Sequence, residues 1–166
     1  PKAEAVARRS ADINPNAVLH PLQELYNAEN RSRFFPEGCR YDYIVDAIDL
    51  VSCKLDLAET ARRLKIPLMM ALGTGNKLDP SQLRLADISE TYGCPLARVM
   101  RKELRNRGIC RQPVVFSPEQ PAPTTQRETP PPGRRSVPAS NPWVPAVAGL
   151  LIGSKVVRDL IANKGV

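Results

Sequence analysis

The chain lacks several features that identify the common classes of catalytic and metal-binding protein. It has a single histidine, His20, so little supports a Ser–His or Cys–His catalytic pair. Its four cysteines include no C-x-x-C pair, which removes the usual spacing of a structural zinc site. No apolar run approaches the ~20 residues that a membrane-spanning helix needs. Neither G-x-G-x-x-G nor G-x-x-x-x-G-K-[ST] occurs, so a nucleotide site within this chain would be incomplete.

Composition favours one ordinary folded domain. The 166 residues are 42% hydrophobic, close to the norm for globular proteins, and long enough to bury a core. The net charge of +7 suits a polyanionic partner such as nucleic acid, or an anionic membrane surface. Without a secretory signal, reduced thiols and a cytoplasmic location are expected.

The first residues already follow a helical pattern. Residues 1–9 show it without an initiator Met or a cap, and Asn14-Pro15-Asn16 is expected to end the helix. We therefore expect the chain to start inside a larger protein. Residues 17–25 are then predicted to form a strand, weakened at Pro21, that carries His20.

The remaining pattern alternates between strands and helices. Short apolar runs predict buried strands, and apolar residues at helical spacing predict amphipathic helices. Strands are predicted over 43–49, 67–72, 82–88 and 114–116, and helices over 50–65, 95–107 and 143–161, with Gly108 ending the second of these helices. Such alternation indicates an α/β fold with right-handed crossovers and a largely parallel sheet.

A proline-rich segment interrupts this pattern from Ser117 to Pro142. It holds eight of the 17 prolines and almost no bulky apolar residues, so it cannot bury enough surface to offset its ordering entropy. We interpret it as a flexible loop. The predicted organisation is an α/β domain over 1–116, this loop over 117–142, and a helix within 143–166 that packs back on the domain.

Two carboxylates, Asp46 and Asp49, end the strand predicted over 43–49. Open α/β sheets bind ligands at the carboxyl ends of their strands. Acids at that edge can hold a metal ion or the Mg²⁺ of a polyphosphate. The alternative is a turn at the end of a strand with solvated acids.

The helix predicted from Pro95 has a cationic face. Arg98, Arg101, Lys102 and Arg105 recur at i, i+3, i+4 and i+7, opposite a predicted apolar face of Leu96, Val99, Met100 and Leu104. Like charges at this spacing repel, which a solvated face tolerates and a phosphate backbone would convert into binding. Further cations could extend the surface if the fold brings them near: Lys54, Arg107 and Arg111.

Three stretches together resemble one enzyme family: 43–49 (YIVDAID), 73–80 (GTGNKLDP) and 94–105 (CPLARVMRKELR). They are similar to the tRNA threonylcarbamoyladenosine dehydratases of the ThiF/MoeB/HesA group of ubiquitin-activating-like adenylating enzymes. The string 94–105 is the most specific, and 144–152 resembles the family's closing helix. The likeness covers nearly the whole chain outside the proline-rich segment. It implies the C-terminal portion of a Rossmann-like ThiF-type fold with a mixed, largely parallel sheet.

The resemblance implies ATP- and Mg²⁺-dependent chemistry. The family activates the carboxylate of a threonylcarbamoyl group on an adenosine beside the tRNA anticodon, and ring closure follows with net loss of water. Lys2 matches the lysine that contacts the ATP phosphates, and Asp49 matches the aspartate that binds Mg²⁺–ATP, so both are catalytic candidates. Asp46 and Lys54 are further candidates for nucleotide contact, and a monovalent cation is a further candidate cofactor. The cationic helix face is our candidate for tRNA contact.

Two departures from the family pattern qualify the resemblance. The Gly-rich loop, an acidic residue and an arginine that relatives carry upstream are absent, so we expect the C-terminal half of such an enzyme, inactive alone. Leu50 stands where the wider group often has Asn, which is the second departure. The zinc C-x-x-C pairs of the molybdopterin and thiamine branches are also missing, which points away from those branches. Expected partners are tRNA, a second copy in a homodimer, the missing N-terminal half, a cysteine desulfurase system and, through the last helix, a membrane surface.

Two alternatives remain open at this point. One is an adenylating enzyme for the C-terminus of a sulfur-carrier, ubiquitin-like protein, which would want a reactive cysteine in a flexible crossover loop. The proline-rich segment contains no cysteine. The other is a non-catalytic interaction module that keeps the fold.

Overall fold

The computed structural model describes residues 1–123, 125, 129–130 and 137–163, and it divides the chain into two compact units, Pro1–Glu37 and Gly38–Val166. The first unit holds helix α1, Lys2–Ile13, and the short helix α2, Arg31–Phe34. Its small core is aromatic: the Tyr26 ring meets Phe34 and Phe35 edge-on, with centroids 5.2 and 6.2 Å apart.

The prediction of a strand over residues 17–25 is wrong. These residues form irregular backbone with one bend at Glu24, and His20 is exposed. No strand is described elsewhere in the first unit, so a strand here would leave its backbone donors without a ladder. Local side-chain bonds shape the following turn instead, because Asn27 and Asn30 each accept the other's backbone N–H at 3.0 and 2.9 Å.

The second unit is built on a four-stranded sheet. Its strands are β1 (Ile44–Asp46), β2 (Leu68–Ala71), β3 (Arg84–Asp87) and β4 (Pro113–Phe116), and its helices are α3 (Val51–Leu64), α4 (Pro95–Asn106) and α5 (Val144–Asn163). The strand order is β1-β2-β4-β3. β1, β2 and β4 are parallel, and β3 runs antiparallel to β4 at the edge. The predicted α/β class and the mixed, largely parallel sheet are confirmed.

Alternating side chains of β2 and β4 divide the core between the two faces of the sheet. Met69 and Val115 pack against Val144, Ala148 and Ile152, which recur every fourth residue along α5. Their neighbours on the same strands, Met70 and Val114, point to the opposite face and are fully buried. The right-handed crossovers place α3 and α4, which contact each other, over that opposite face.

The helices match their predicted bounds within two residues, but β1 is shorter than predicted. The last ladder pair joins Asp46 to Met70, so the chain leaves the sheet three residues before Asp49. Gly108 follows the end of α4 with φ +71°, as the sequence predicts for a glycine that ends a helix. In the part of the chain described, no helix combines the length and apolarity that crossing a membrane requires.

Candidate active site at the carboxyl edge of the sheet

The carboxyl edge of the sheet collects the loops that follow β1, β2 and β4. Cys94, the N-cap of α4, also reaches this edge, because its Sγ lies against Gly73, two residues beyond β2. Arg84 begins the antiparallel strand β3 beside Phe116, the last residue of β4. The candidate carboxylates therefore lie where an open α/β sheet presents its ligand site.

Asp46 belongs to a buried ion pair at this edge. Its carboxylate is fully buried, and Oδ2 accepts a 2.9 Å hydrogen bond from Nζ of Lys54, whose side chain is 1% exposed. The same Nζ donates to the Ala71 carbonyl at 2.9 Å. Lys54 thus joins the ends of β1 and β2.

The three cations predicted to extend the cationic surface of α4 have different surroundings. Lys54 cannot extend the cationic surface, because burial and two acceptors keep its ammonium inside the fold. Arg107 is also engaged, since it pairs with Glu103 at 2.8 Å and lies 3.7 Å from Glu59. Arg111 is exposed beyond the end of α4.

Asp49 lies in the short loop between β1 and α3 and is exposed. Asp46 shapes this loop as well, because its Oδ1 accepts the Ile48 N–H at 2.8 Å. α3 begins two residues after Asp49, and its first turn has no side-chain cap. Backbone N–H groups at a helix N-terminus favour negative charge nearby. Of the two predicted carboxylates, only Asp49 is exposed to solvent.

Gly73, two residues after β2, permits the close approach of α4. Its φ is +61°, and a Cβ there would lie 2.3 Å from Cys94 Sγ. A side chain would therefore meet both a strained backbone and a steric clash.

We expect Gly73→Ala to destabilise the fold by about 2–4 kcal/mol, from strain plus overpacking. Gly149→Ala on α5 is the matched control, because a Cβ there meets nothing within 4 Å. It should be neutral or slightly stabilising, since alanine favours helix over glycine. Denaturant unfolding of both variants measures the difference, and equal stabilities would contradict the close contact.

The described ends of the proline-rich segment are held against the loop that follows β2. Asn76 N–H donates to the Ala139 carbonyl at 2.7 Å, and its Oδ1 accepts the Ala139 N–H at 2.7 Å. The Asn76 carbonyl accepts the Ala122 N–H at 2.8 Å, and the Glu119 carboxylate accepts backbone N–H groups of the same loop. The prediction of a flexible loop over 117–142 otherwise falls on residues 124, 126–128 and 131–136, outside those described.

The predicted cationic face of α4 is divided between two roles. Arg98, Lys102 and Arg105 are exposed. Arg101 is half-buried, and its Nη1 donates to the Thr91 carbonyl and hydroxyl at 2.5 and 2.6 Å, which ties the turn before α4 to the helix. The predicted apolar face needs one correction: Met100 and Leu104 are buried, as is Ala97, but Val99 is 44% exposed.

Lys2 lies in the first unit, as the first residue of α1, and is exposed. Its matching to an ATP-contacting lysine stays a prediction that rests on the resemblance.

Sequence reasoning missed a groove of about 530 Å³ at the opposite, amino edge of the sheet. Tyr43 and Asp159 line it, and the Tyr43 hydroxyl donates to the Asp159 carboxylate at 2.8 Å. Burial raises the pKa of Tyr43 to about 12, and the hydrogen bond to Asp159 and its charge act in the same direction. Hydrogen bonds from Lys155 and Tyr43 hold the pKa of Asp159 below its usual value. The residues lie 116 apart, so no local pattern signals this contact.

Comparison with known proteins identifies the family. The profile of the ThiF family matches residues 1–163. A Bacillus subtilis protein named tRNA threonylcarbamoyladenosine dehydratase is 36% identical over 172 aligned residues, covering 98% of this chain and 67% of the relative. The Escherichia coli protein of that name is 35% identical over 105 residues, covering 63% of this chain and 38% of the relative.

Solved structures agree with this result. A crystal structure of the Escherichia coli tRNA N6-threonylcarbamoyladenosine dehydratase in complex with ATP matches with a TM-score of 0.80 and 28% identity. The corresponding complex with AMP matches with a TM-score of 0.81. The match covers 99% of this chain and 65% of the ATP-bound chain, so the chain spans about two thirds of that structure. By fold and by sequence, the chain belongs to the ThiF family.

Proposed function

We propose that this chain contributes to an ATP-dependent tRNA threonylcarbamoyladenosine dehydratase. In this reaction the carboxylate of the threonylcarbamoyl group is activated by adenylation, and the neighbouring carbamoyl group then closes a ring with net loss of water. The observation that carries the proposal is the exposed Asp49 at the carboxyl edge, in a chain that aligns over 98% of its length with a dehydratase. The ATP and AMP complexes of the Escherichia coli enzyme support the choice of nucleotide.

The residues at the edge fit a bound Mg²⁺–nucleotide. No three His, Cys, Asp or Glu side chains among the described residues group closely enough to hold a metal ion alone. Mg²⁺ usually takes one or two protein carboxylates plus substrate phosphates, which a single exposed carboxylate at Asp49 satisfies. When bound, the ion supplies neutralisation of the charge that develops on departing pyrophosphate.

Asp46 and Lys54 have a different role in this proposal. Their side chains are 0% and 1% exposed and bonded to each other, which argues against direct nucleotide contact. We assign them as positioning residues that hold the loop carrying Asp49. Lys2 remains the proposed cation for the ATP phosphates, on the resemblance alone.

The test of the function uses the complete gene product with ATP, Mg²⁺ and tRNA bearing threonylcarbamoyladenosine. Mass spectrometry after gentle digestion should show ATP-dependent loss of one water from that nucleoside. ATP–pyrophosphate exchange without this loss would point to another carboxylate, such as the C-terminus of a sulfur-carrier protein. Absence of both activities would favour a non-catalytic interaction module.

The exposed cations of α4 are the proposed tRNA contact: Arg98, Lys102 and Arg105. Arg101 serves chiefly to tie the helix to Thr91, so its reversal would confound a binding test with a loss of structure.

The double variant Arg98→Glu, Lys102→Glu should weaken tRNA binding. The slope of log K against log salt, which is negative, should become shallower by about 1 to 2. Arg63→Glu with Lys65→Glu is the control, because it changes the charge equally at exposed positions by the end of α3. Filter-binding titrations over a salt series measure both. Equal effects of the two double variants would show that only net charge matters.

We also propose a reaction type, partners, a cofactor and a location for the complete protein. A ligase-type activity, a homodimer, a cysteine desulfurase system and a monovalent cation follow from the resemblance, and a cytoplasmic location follows from the expected reduced thiols. α5 leaves Leu150, Val157 and Ile161 exposed, which supports contact of this helix with a second copy or with a membrane surface.

A further inference from the structure

An exposed aromatic and cationic pair lies on the carboxyl edge, apart from Asp49. The Tyr92 ring is 54% exposed, and the Arg84 guanidinium carbon lies 5.9 Å from its centroid. Phe116 contacts the ring in a T-shaped arrangement, with centroids 5.9 Å apart and planes at 76°. We call Tyr92 and Arg84 the aromatic platform.

The backbone beneath the platform is fixed on both sides. Gly93 has φ +67°, and a Cβ there would lie 2.4 Å from the Pro118 carbonyl oxygen, so the chain after Tyr92 is packed closely against the segment that follows β4. Arg84 is held by its ladder pairing with Phe116. A rigid aromatic face loses little conformational entropy when it binds a flat ligand.

The surroundings of the platform indicate a nucleic-acid ligand. α4 starts three residues after Tyr92 and carries the exposed Arg98 and Lys102 further along its length. Unstacked bases stack on aromatic rings and on arginine guanidinium planes. Rows of cations bind the phosphate backbone.

We propose that the aromatic platform stacks one unpaired base of the tRNA anticodon loop; this rests on the proposed function. The stacked base is not the reacting adenosine. β1 and β3 are three places apart in the sheet, which at ~4.8 Å per strand separates the platform from the end of β1 by roughly 14 Å. The platform therefore holds a neighbouring loop nucleotide and orients the loop towards Asp49.

The test uses the complete protein and a synthetic anticodon stem-loop RNA that carries 2-aminopurine at each loop position in turn. In the wild-type protein, fluorescence at one loop position should be quenched on binding, as stacking requires. Tyr92→Leu keeps an apolar contact with Phe116 but removes the ring, so it should abolish this quenching and weaken binding by about five-fold or more, at low and at high salt.

Two further variants make the test specific. Tyr92→Phe retains the ring and should bind within about two-fold of wild type. Tyr41→Leu removes another exposed tyrosine, at the amino end of β1, and should change neither signal. Circular dichroism checks that each variant folds. Should Tyr92→Leu unfold, Arg84→Gln removes the exposed cation of the platform instead and should reduce the quenching, and unchanged quenching in that variant would overturn the platform.

The outcomes separate this inference from the proposed function. The wild-type protein could dehydrate threonylcarbamoyladenosine in tRNA and yet quench 2-aminopurine fluorescence at no loop position. That result would overturn the stacking role of the aromatic platform and leave the proposed function standing. Wild-type affinity and quenching in Tyr92→Leu would do the same. A protein that neither binds the stem-loop nor dehydrates tRNA would overturn the proposed function itself.

Discussion

Asp49→Asn should lower ATP-dependent dehydration by about 10²-fold or more and leave the fold intact. The expected loss arises because the amide lacks the negative charge that holds Mg²⁺ beside the polyphosphate. The fold should survive because Asp49 is exposed in the loop and asparagine has nearly the same shape, so unfolding should change by no more than about 0.5 kcal/mol. The measurement is turnover of tRNA bearing threonylcarbamoyladenosine by the complete protein, with ATP–pyrophosphate exchange followed in parallel.

Asp42→Asn is the matched control for this prediction. Asp42 is an exposed aspartate before the amino end of β1, so its substitution removes the same charge from the opposite edge of the sheet. Its activity should equal that of wild type. Undiminished turnover in Asp49→Asn would remove the role assigned to this residue, and an equal loss in both variants would indicate a general effect of charge.

The sequence predicts the helices of the second unit well because their signals are local. Cys94 and Gly108 bracket α4, and the apolar spacing of α3 recurs over four turns. The end of β1 is different, because the length of a ladder depends on the path of the neighbouring chain and not on local residue type. Ala47 and Ile48 are as apolar as the strand itself, yet the last pair joins Asp46 to Met70. Nothing local distinguishes a paired from an unpaired apolar residue, and the same reason explains the false strand over 17–25.

The candidate site shows a similar division. Residue type and position select both Asp46 and Asp49, but the sequence does not reveal that the first is buried and the second exposed. Arg101 is likewise indistinguishable in sequence from Arg98, although one ties down a turn and the other is exposed. Helical spacing groups residues by face, but it does not reveal which neighbours that face will meet. The proposed dependence of Asp49 on the buried pair can be measured.

Lys54→Met should destabilise the protein by about 3–5 kcal/mol, the larger of the stability effects we expect. Methionine fits the volume but leaves the fully buried Asp46 carboxylate without its counter-ion and the Ala71 carbonyl without its donor. An unpaired buried charge costs far more than the pair itself contributes. Arg63→Met removes an exposed cation from the same helix and should change stability by no more than about 0.5 kcal/mol.

A double variant separates the cost of the orphaned charge from the value of the pair. Asp46→Asn combined with Lys54→Met removes both charges and keeps a side-chain oxygen for the Ile48 N–H. It should recover part of the stability lost in Lys54→Met, because the orphaned charge is gone while the Ala71 carbonyl still lacks its donor. Turnover by the double variant should stay low if the pair positions Asp49, since the link from Asp46 to the end of β2 is gone. Full turnover would show that the pair serves stability alone, and equal stabilities of Lys54→Met and Arg63→Met would contradict the buried ion pair.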